Sequence, residues 1–87
     1  MDTRSLLKEL IIEASDHNVT MEDLERVGDS IKQLGLDSLV KIRLVVLIEE
    51  NFDLNIDVEE VSSEVFDQLS ALQQYVESGN ENMTLSI

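Results

Sequence analysis

Cysteine is absent from this 87-residue sequence, and its aromatic side chains amount to two phenylalanines and one tyrosine. The first absence excludes a disulfide framework and any thiolate-ligated metal site, and it agrees with a reducing cytoplasm. The second leaves the core to Leu, Ile and Val, an aliphatic interior soft enough to open for a guest chain. Basic residues are also scarce: 6 Lys and Arg stand against 19 Asp and Glu, a formal net charge of −13. Binding nucleic acid phosphates or anionic lipid needs cations to neutralise them, so neither is an expected partner, whereas basic or apolar protein surfaces are. No stretch approaches the roughly 18 apolar residues of a membrane span, and Met1-Asp2-Thr3-Arg4 lacks the apolar core of a signal peptide. The expectation is a soluble, cytoplasmic monomer. A chain this short folds as one domain that buries about 60–65% of its unfolded surface, with no room for an active-site cleft.

What is present is helical periodicity. Leu6, Leu7, Leu10, Ile11 and Ala14 form one stripe of a helix over residues 5–15, with Asp2 or Thr3 as its cap. Asp16-His17-Asn18-Val19 breaks that pattern, and Thr20 with Asp23 resembles a capping box that opens a short helical turn through Val27. Gly28-Asp29-Ser30 ends the turn, and Met21, Leu24, Val27, Ile31 and Leu34 are the expected anchors of this long loop on the domain. A second long helix is expected from Ser38 to about Asn51. Wound at about 3.6 residues per turn, it places Val40, Leu44, Leu47, Ile48 and Phe52 on an arc toward the core and Leu39, Ile42 and Val46 on a separate strip beside Ser38. Asp53 to Asp57 reads as a loop, Val58 to about Val65 as a short helix, and Asp67 as the cap of a last helix through Val76. The core stripe of that helix is Leu69, Leu72, Tyr75 and Val76. Residues 1–79 make up the domain and residues 80–87 a flexible C-terminal tail.

The segment Leu34-Gly35-Leu36-Asp37-Ser38-Leu39 carries the functional signal. Asp37 can cap the second helix by accepting from free backbone N–H groups, which makes Ser38 one of its first residues and turns one primary hydroxyl outward. A phosphodiester built there would sit against the positive end of the helix dipole. The stretch LGLDSLVKIRLVVLIEENFDLNI, residues 34–56, resembles the attachment motif of the acyl carrier protein family, and the surrounding pattern fits from about Leu6 to Val76. The resemblance rests on Gly35 before Asp-Ser-Leu, a helix of fitting length after it, the ending Glu49-Glu50-Asn51-Phe52, and Tyr75-Val76 closing the last helix.

The resemblance implies an all-α, acyl-carrier-like four-helix bundle, three longer helices plus one short helix with a long first loop. It also implies a carrier rather than an enzyme. In that family the serine matching Ser38 receives 4′-phosphopantetheine from coenzyme A through a separate Mg²⁺-dependent phosphopantetheinyl transferase, with Asp37 and Leu39 flanking the attachment point. The transferase must supply base and metal, because a free serine hydroxyl is a poor nucleophile. The terminal thiol of the arm holds acyl or aminoacyl groups as thioesters, so the implied partners are that transferase, a loading enzyme and downstream synthases. Carriers of bacterial fatty acid synthesis are markedly acidic along this helix, whereas the matching positions here hold Val40, Lys41 and Arg43. Like charge would meet like on a basic partner surface, which points to a discrete carrier of a polyketide, nonribosomal peptide or other specialised pathway. An aminoacyl or peptidyl carrier is the alternative within the class, and an unmodified acidic interaction domain the alternative outside it.

Other chemistries fit less well. A serine-hydrolase elbow needs Gly two residues before and after the nucleophile, where Leu36 and Val40 stand, and the only histidine, His17, lies in a turn. Asp53, Asn55, Asp57 and Glu64 match EF-hand positions, but Val58 stands where the loop requires Gly, so no metal site is expected. The strip Leu39, Ile42 and Val46, with Arg43, Glu49 and Glu50 at its border, either docks partner enzymes or completes the core against the long loop. Lys41 either snorkels or approaches the arm's phosphodiester one turn from Ser38.

Overall fold

The computed structural model describes residues 2–56, 61 and 63–85. Its elements are α1 (Thr3–Ala14), α2 (Met21–Val27), a 3₁₀ turn (Ile31–Leu34), α3 (Ser38–Phe52), a second 3₁₀ turn (Ser63–Phe66) and α4 (Leu69–Leu85), with no strand among the described residues. The architecture is the all-helical bundle expected from the sequence.

Each start is fixed by a local polar residue. Asp2 Oδ1 accepts from Ser5 N at 2.7 Å and caps α1. Thr20 Oγ1 accepts from Asp23 N while Asp23 Oδ2 accepts from Thr20 N, so the expected capping box opens α2. Beyond α1 the chain reverses through Asp16 and His17, both left-handed with φ of 56° and 65°. Buried Ser15 holds this reversal: its Oγ donates to Ile12 O at 2.9 Å and accepts from Val19 N at 3.0 Å, so no polar atom there is left without a partner.

The core is aliphatic. Leu7, Ile11, Leu24, Ile31, Leu44, Ile48, Leu69, Leu72 and Val76 are fully buried, and Phe66 is the only aromatic in the buried cluster. Burying each such side chain stabilises the fold by about 1.5–3 kcal/mol relative to leaving it exposed. In this arrangement α1 packs against both α3 and α4, and α2 lies against α1 and the first 3₁₀ turn.

Five details differ from the sequence expectations, the first being Tyr75, expected on the core stripe of α4 but only half-buried while Leu69, Leu72 and Val76 fill the core. Met21 is 40% exposed and does not anchor the loop, whereas Leu24 and Ile31 do. On α3 the buried arc is Leu44, Val45 and Ile48, with Val40, Leu47 and Phe52 only partly buried; the helix is rotated toward Val45, off the arc expected from periodicity. Asp67 was expected to cap the last helix, but the Ser70 N–H is taken by Asp29 Oδ1 at 2.7 Å. The α4 backbone continues to Leu85, past the expected end at Val76, since a single Gly79 costs a helix only about 1 kcal/mol. Half of the short helix expected at Val58–Val65 falls outside the described residues, and its positions 63–65 lie in the 3₁₀ turn Ser63–Phe66.

Candidate functional site

The loop before α3 is tied down at several points. Ile31 is buried, Lys32 N donates to Asp67 O at 3.0 Å, and Leu69 N donates to Asp29 O at 2.8 Å. The Asp29 carboxylate accepts from Ser70 N at 2.7 Å, from Ser70 Oγ at 2.8 Å and from Arg4 at 3.3 Å, joining the loop to the starts of α4 and α1. These hydrogen bonds, those from Ser70 first, hold the Asp29 carboxyl below its ordinary value of 3.8 against the opposing effect of burial. The 3₁₀ turn ends at Gly35, whose φ of 65° is left-handed and favours glycine.

Two residues later Asp37 adopts extended backbone, with φ −83° and ψ 176°, and its Oδ1 accepts from Val40 N at 2.9 Å. That interaction fixes α3 to begin at Ser38, as the sequence indicated. Ser38 is exposed, and its Oγ makes no hydrogen bond among the described residues. The first turn of α3 holds no acidic residue. The result is an unencumbered primary alcohol at the positive end of a helix, which suits an exposed phosphodiester both sterically and electrostatically. Among the described residues no side chain is hydrogen-bonded to the hydroxyl.

Beside Ser38, Leu39, Ile42 and Val46 are 56%, 50% and 44% exposed, an apolar strip left open among the described residues. Arg43 is exposed and Lys41 half-buried, and neither forms an ion pair among the described residues. Glu49, expected at the border of this strip, instead accepts from Ile56 N at 2.8 Å and secures the chain after α3, where Asp53 turns it in left-handed conformation. No group of three or more His, Asp or Glu among the described residues could hold a metal ion, and Asp57 of the EF-hand match lies outside them. The residue that sequence reasoning missed is Asp29. Its partner Ser70 lies 41 positions away, and no local pattern announces such a contact.

No curated protein and no solved structure gives a significant match to the chain. The family model described as the phosphopantetheine attachment site matches residues 6–76, most of the chain and all the elements from α1 to the buried stripe of α4. The free hydroxyl at a capped helix start and the family match agree: the chain belongs to the phosphopantetheine-attachment family of acyl-carrier-like proteins, whose cofactor is covalently bound 4′-phosphopantetheine.

Proposed function

We propose that Ser38 is the attachment residue and that the protein carries acyl intermediates for a specialised biosynthetic pathway. The observation that carries the first part is the exposed, unbonded Ser38 Oγ on the first turn of α3. The arm, once attached, supplies a thiol on which cargo is held as a thioester. The protein's own residues do the rest. Asp37 holds the helix start so that the hydroxyl faces outward, Gly35 turns the chain into that start, and the N-terminal peptide dipoles of α3 favour the phosphodiester's negative charge. Leu39, Ile42, Val46 and Arg43 form the face that partner enzymes meet when they reach Ser38.

The Asp37-Ser38-Leu39 form of the motif favours acyl cargo over aminoacyl cargo, and the cationic residues Lys41 and Arg43, where fatty acid carriers are acidic, favour a specialised pathway. Partners are a phosphopantetheinyl transferase, a loading enzyme and downstream synthases. Among the described residues no helix is long and apolar enough to cross a membrane.

The test is intact-mass spectrometry after incubation with coenzyme A, Mg²⁺ and a promiscuous phosphopantetheinyl transferase. A mass gain equal to phosphopantetheine, lost in Ser38→Ala, is expected. No gain, or a gain that persists in Ser38→Ala, overturns the assignment. The pathway reading has its own test: an acyltransferase of bacterial fatty acid synthesis should load this holo-protein at least tenfold more slowly than its own carrier, and equal rates would refute it.

A further inference from the structure

We infer that the exposed face of α3 is a directional docking surface, which takes a partner enzyme presenting an apolar recess with a carboxylate near the Ser38 end and a cation at the far end. The inference rests on the carrier reading above and adds the chemistry of the partner.

The face is built by spacing. Leu39, Arg43, Val46 and Glu50 follow one another at four, three and four residues, a single helical face, and Ile42 borders it. All five are exposed, and the three apolar ones are left about half open among the described residues. The core instead takes the opposite side of the helix through Leu44, Val45 and Ile48.

Its charges are segregated. In a chain with 19 Asp and Glu against 6 Lys and Arg, α3 carries no carboxylate between Ser38 and Ile48 and only cations, Lys41 and Arg43. The acids gather at its end, and because Glu49 is engaged with Ile56 N, Glu50 is the free carboxylate of the face. Neither Arg43 nor Glu50 is paired among the described residues.

At about 1.5 Å rise per residue, Arg43 and Glu50 stand roughly 10 Å apart along the axis. That exceeds the Debye length of about 8 Å at physiological ionic strength, so a partner senses them as two separate local charges. The same screening limits how far the −13 of the whole chain reaches across the contact. A positive and a negative site flanking an apolar strip admit a complementary surface in one orientation and oppose the reverse one. Orientation matters here because only one end of the helix carries Ser38. A second copy of the chain could pair Arg43 with Glu50 antiparallel, but that pairing would cover the approach to Ser38.

The probe is a synthetic amphipathic helical peptide with a leucine face, Glu at one end, Lys at the other and a nitroxide at the Glu end. It is titrated into ¹⁵N-labelled full-length protein at 150 mM salt. The expected result is nitroxide broadening of the Leu39 and Ile42 amides in preference to those of Glu50 and Asn51. In the reversal Arg43→Glu/Glu50→Lys the broadening should move to the Glu50 end, and Arg43→Glu alone should weaken binding at least fivefold. Absence of binding at millimolar peptide overturns the inference, as does unchanged orientation in the reversal, or sedimentation showing a dimer through this face. Both substitutions are at exposed positions; should the reversal fail to fold, Arg43→Gln and Glu50→Gln are read singly, each expected to reduce the end-to-end contrast. The same samples are offered to the promiscuous transferase. Ser38 modified with no oriented docking removes only the surface proposal, whereas unmodified Ser38 removes the carrier assignment whatever the peptide does.

Discussion

Truncation of Asp29 to alanine should be costly for a half-buried polar position. The carboxylate serves as the cap of α4 although it belongs to the first loop, accepting from both the N–H and the hydroxyl of Ser70 and from Arg4. Losing a capping acceptor costs about 0.5–2 kcal/mol, and hydrogen bonds to a charged group stand at the upper part of the usual range, about 1.5–3 kcal/mol. The Arg4 pair adds little, because the side chains are 37% and 41% exposed and such pairs contribute about 0–1 kcal/mol. The cap therefore dominates, and Asp29→Ala should cost about 2 kcal/mol. In a domain of this size each kcal/mol lowers Tm by roughly 4–8 °C, so the expected drop is about 8–16 °C. Urea titration followed by circular dichroism measures the loss directly. Asp29→Asn, which keeps an acceptor, should fall between wild type and Asp29→Ala, and the cycle with Ser70→Ala should return a coupling of about 1 kcal/mol. If Asp29→Ala unfolds within 0.5 kcal/mol of wild type, or if Arg4→Ala costs as much as Asp29→Ala, the reasoning fails.

Three other outcomes follow from the same geometry. Ile48→Ala should cost about 2–5 kcal/mol in chemical denaturation, whereas Ile42→Ala, on the uncovered strip, should change stability by less than about 0.5 kcal/mol; similar losses would mean that the strip is covered. Gly35→Ala should cost about 1–2 kcal/mol from its left-handed φ of 65° alone, since no atom lies within 4 Å of an added Cβ, and a thermal scan showing no change would contradict that turn. Acid should destabilise the protein in a defined direction. The carboxyls of Asp2, Asp23 and Asp29 are all held below 3.8, chiefly by hydrogen bonds from Ser5, Thr20 and Ser70 respectively, so the folded state binds fewer protons than the unfolded chain. Their contribution is complete above 3.8 and is lost as pH falls through the lowered folded values; denaturation curves from pH 6 to pH 2 should show this, with a smaller slope in Asp29→Ala.

The sequence disclosed whatever depends on neighbours along the chain. The Thr20 and Asp23 box and the Asp37 cap are contacts over three residues, and the stripes of α1 and α4 are simple periodicities. Val45 escaped because α3 is apolar on most of its circumference, so periodicity alone cannot choose which arc faces inward; packing against α1 and α4 decides. Met21 looked like an anchor because it is apolar, yet a residue at the first position of α2 can project away from the core while Leu24 fills it. Glu49 looked like a rim residue because helix geometry does not reveal that the chain beyond Asp53 returns to place Ile56 N against it. Asp29 was invisible for the same reason: its partner is close only after the loop has been laid across the bundle.

The stitched loop has a consequence for geometry at larger scale. With Ile31 sunk in the core, Asp29 bonded to the start of α4, Lys32 bonded to Asp67 just before it, and Asp37 clamping the helix, a tether attached at Ser38 would leave from a root braced on both sides. On the proposed carrier reading, every catalyst that serves the cargo would open its entrance on the same sphere around that root. The length of the tether becomes a shared yardstick for a whole set of otherwise unrelated enzymes.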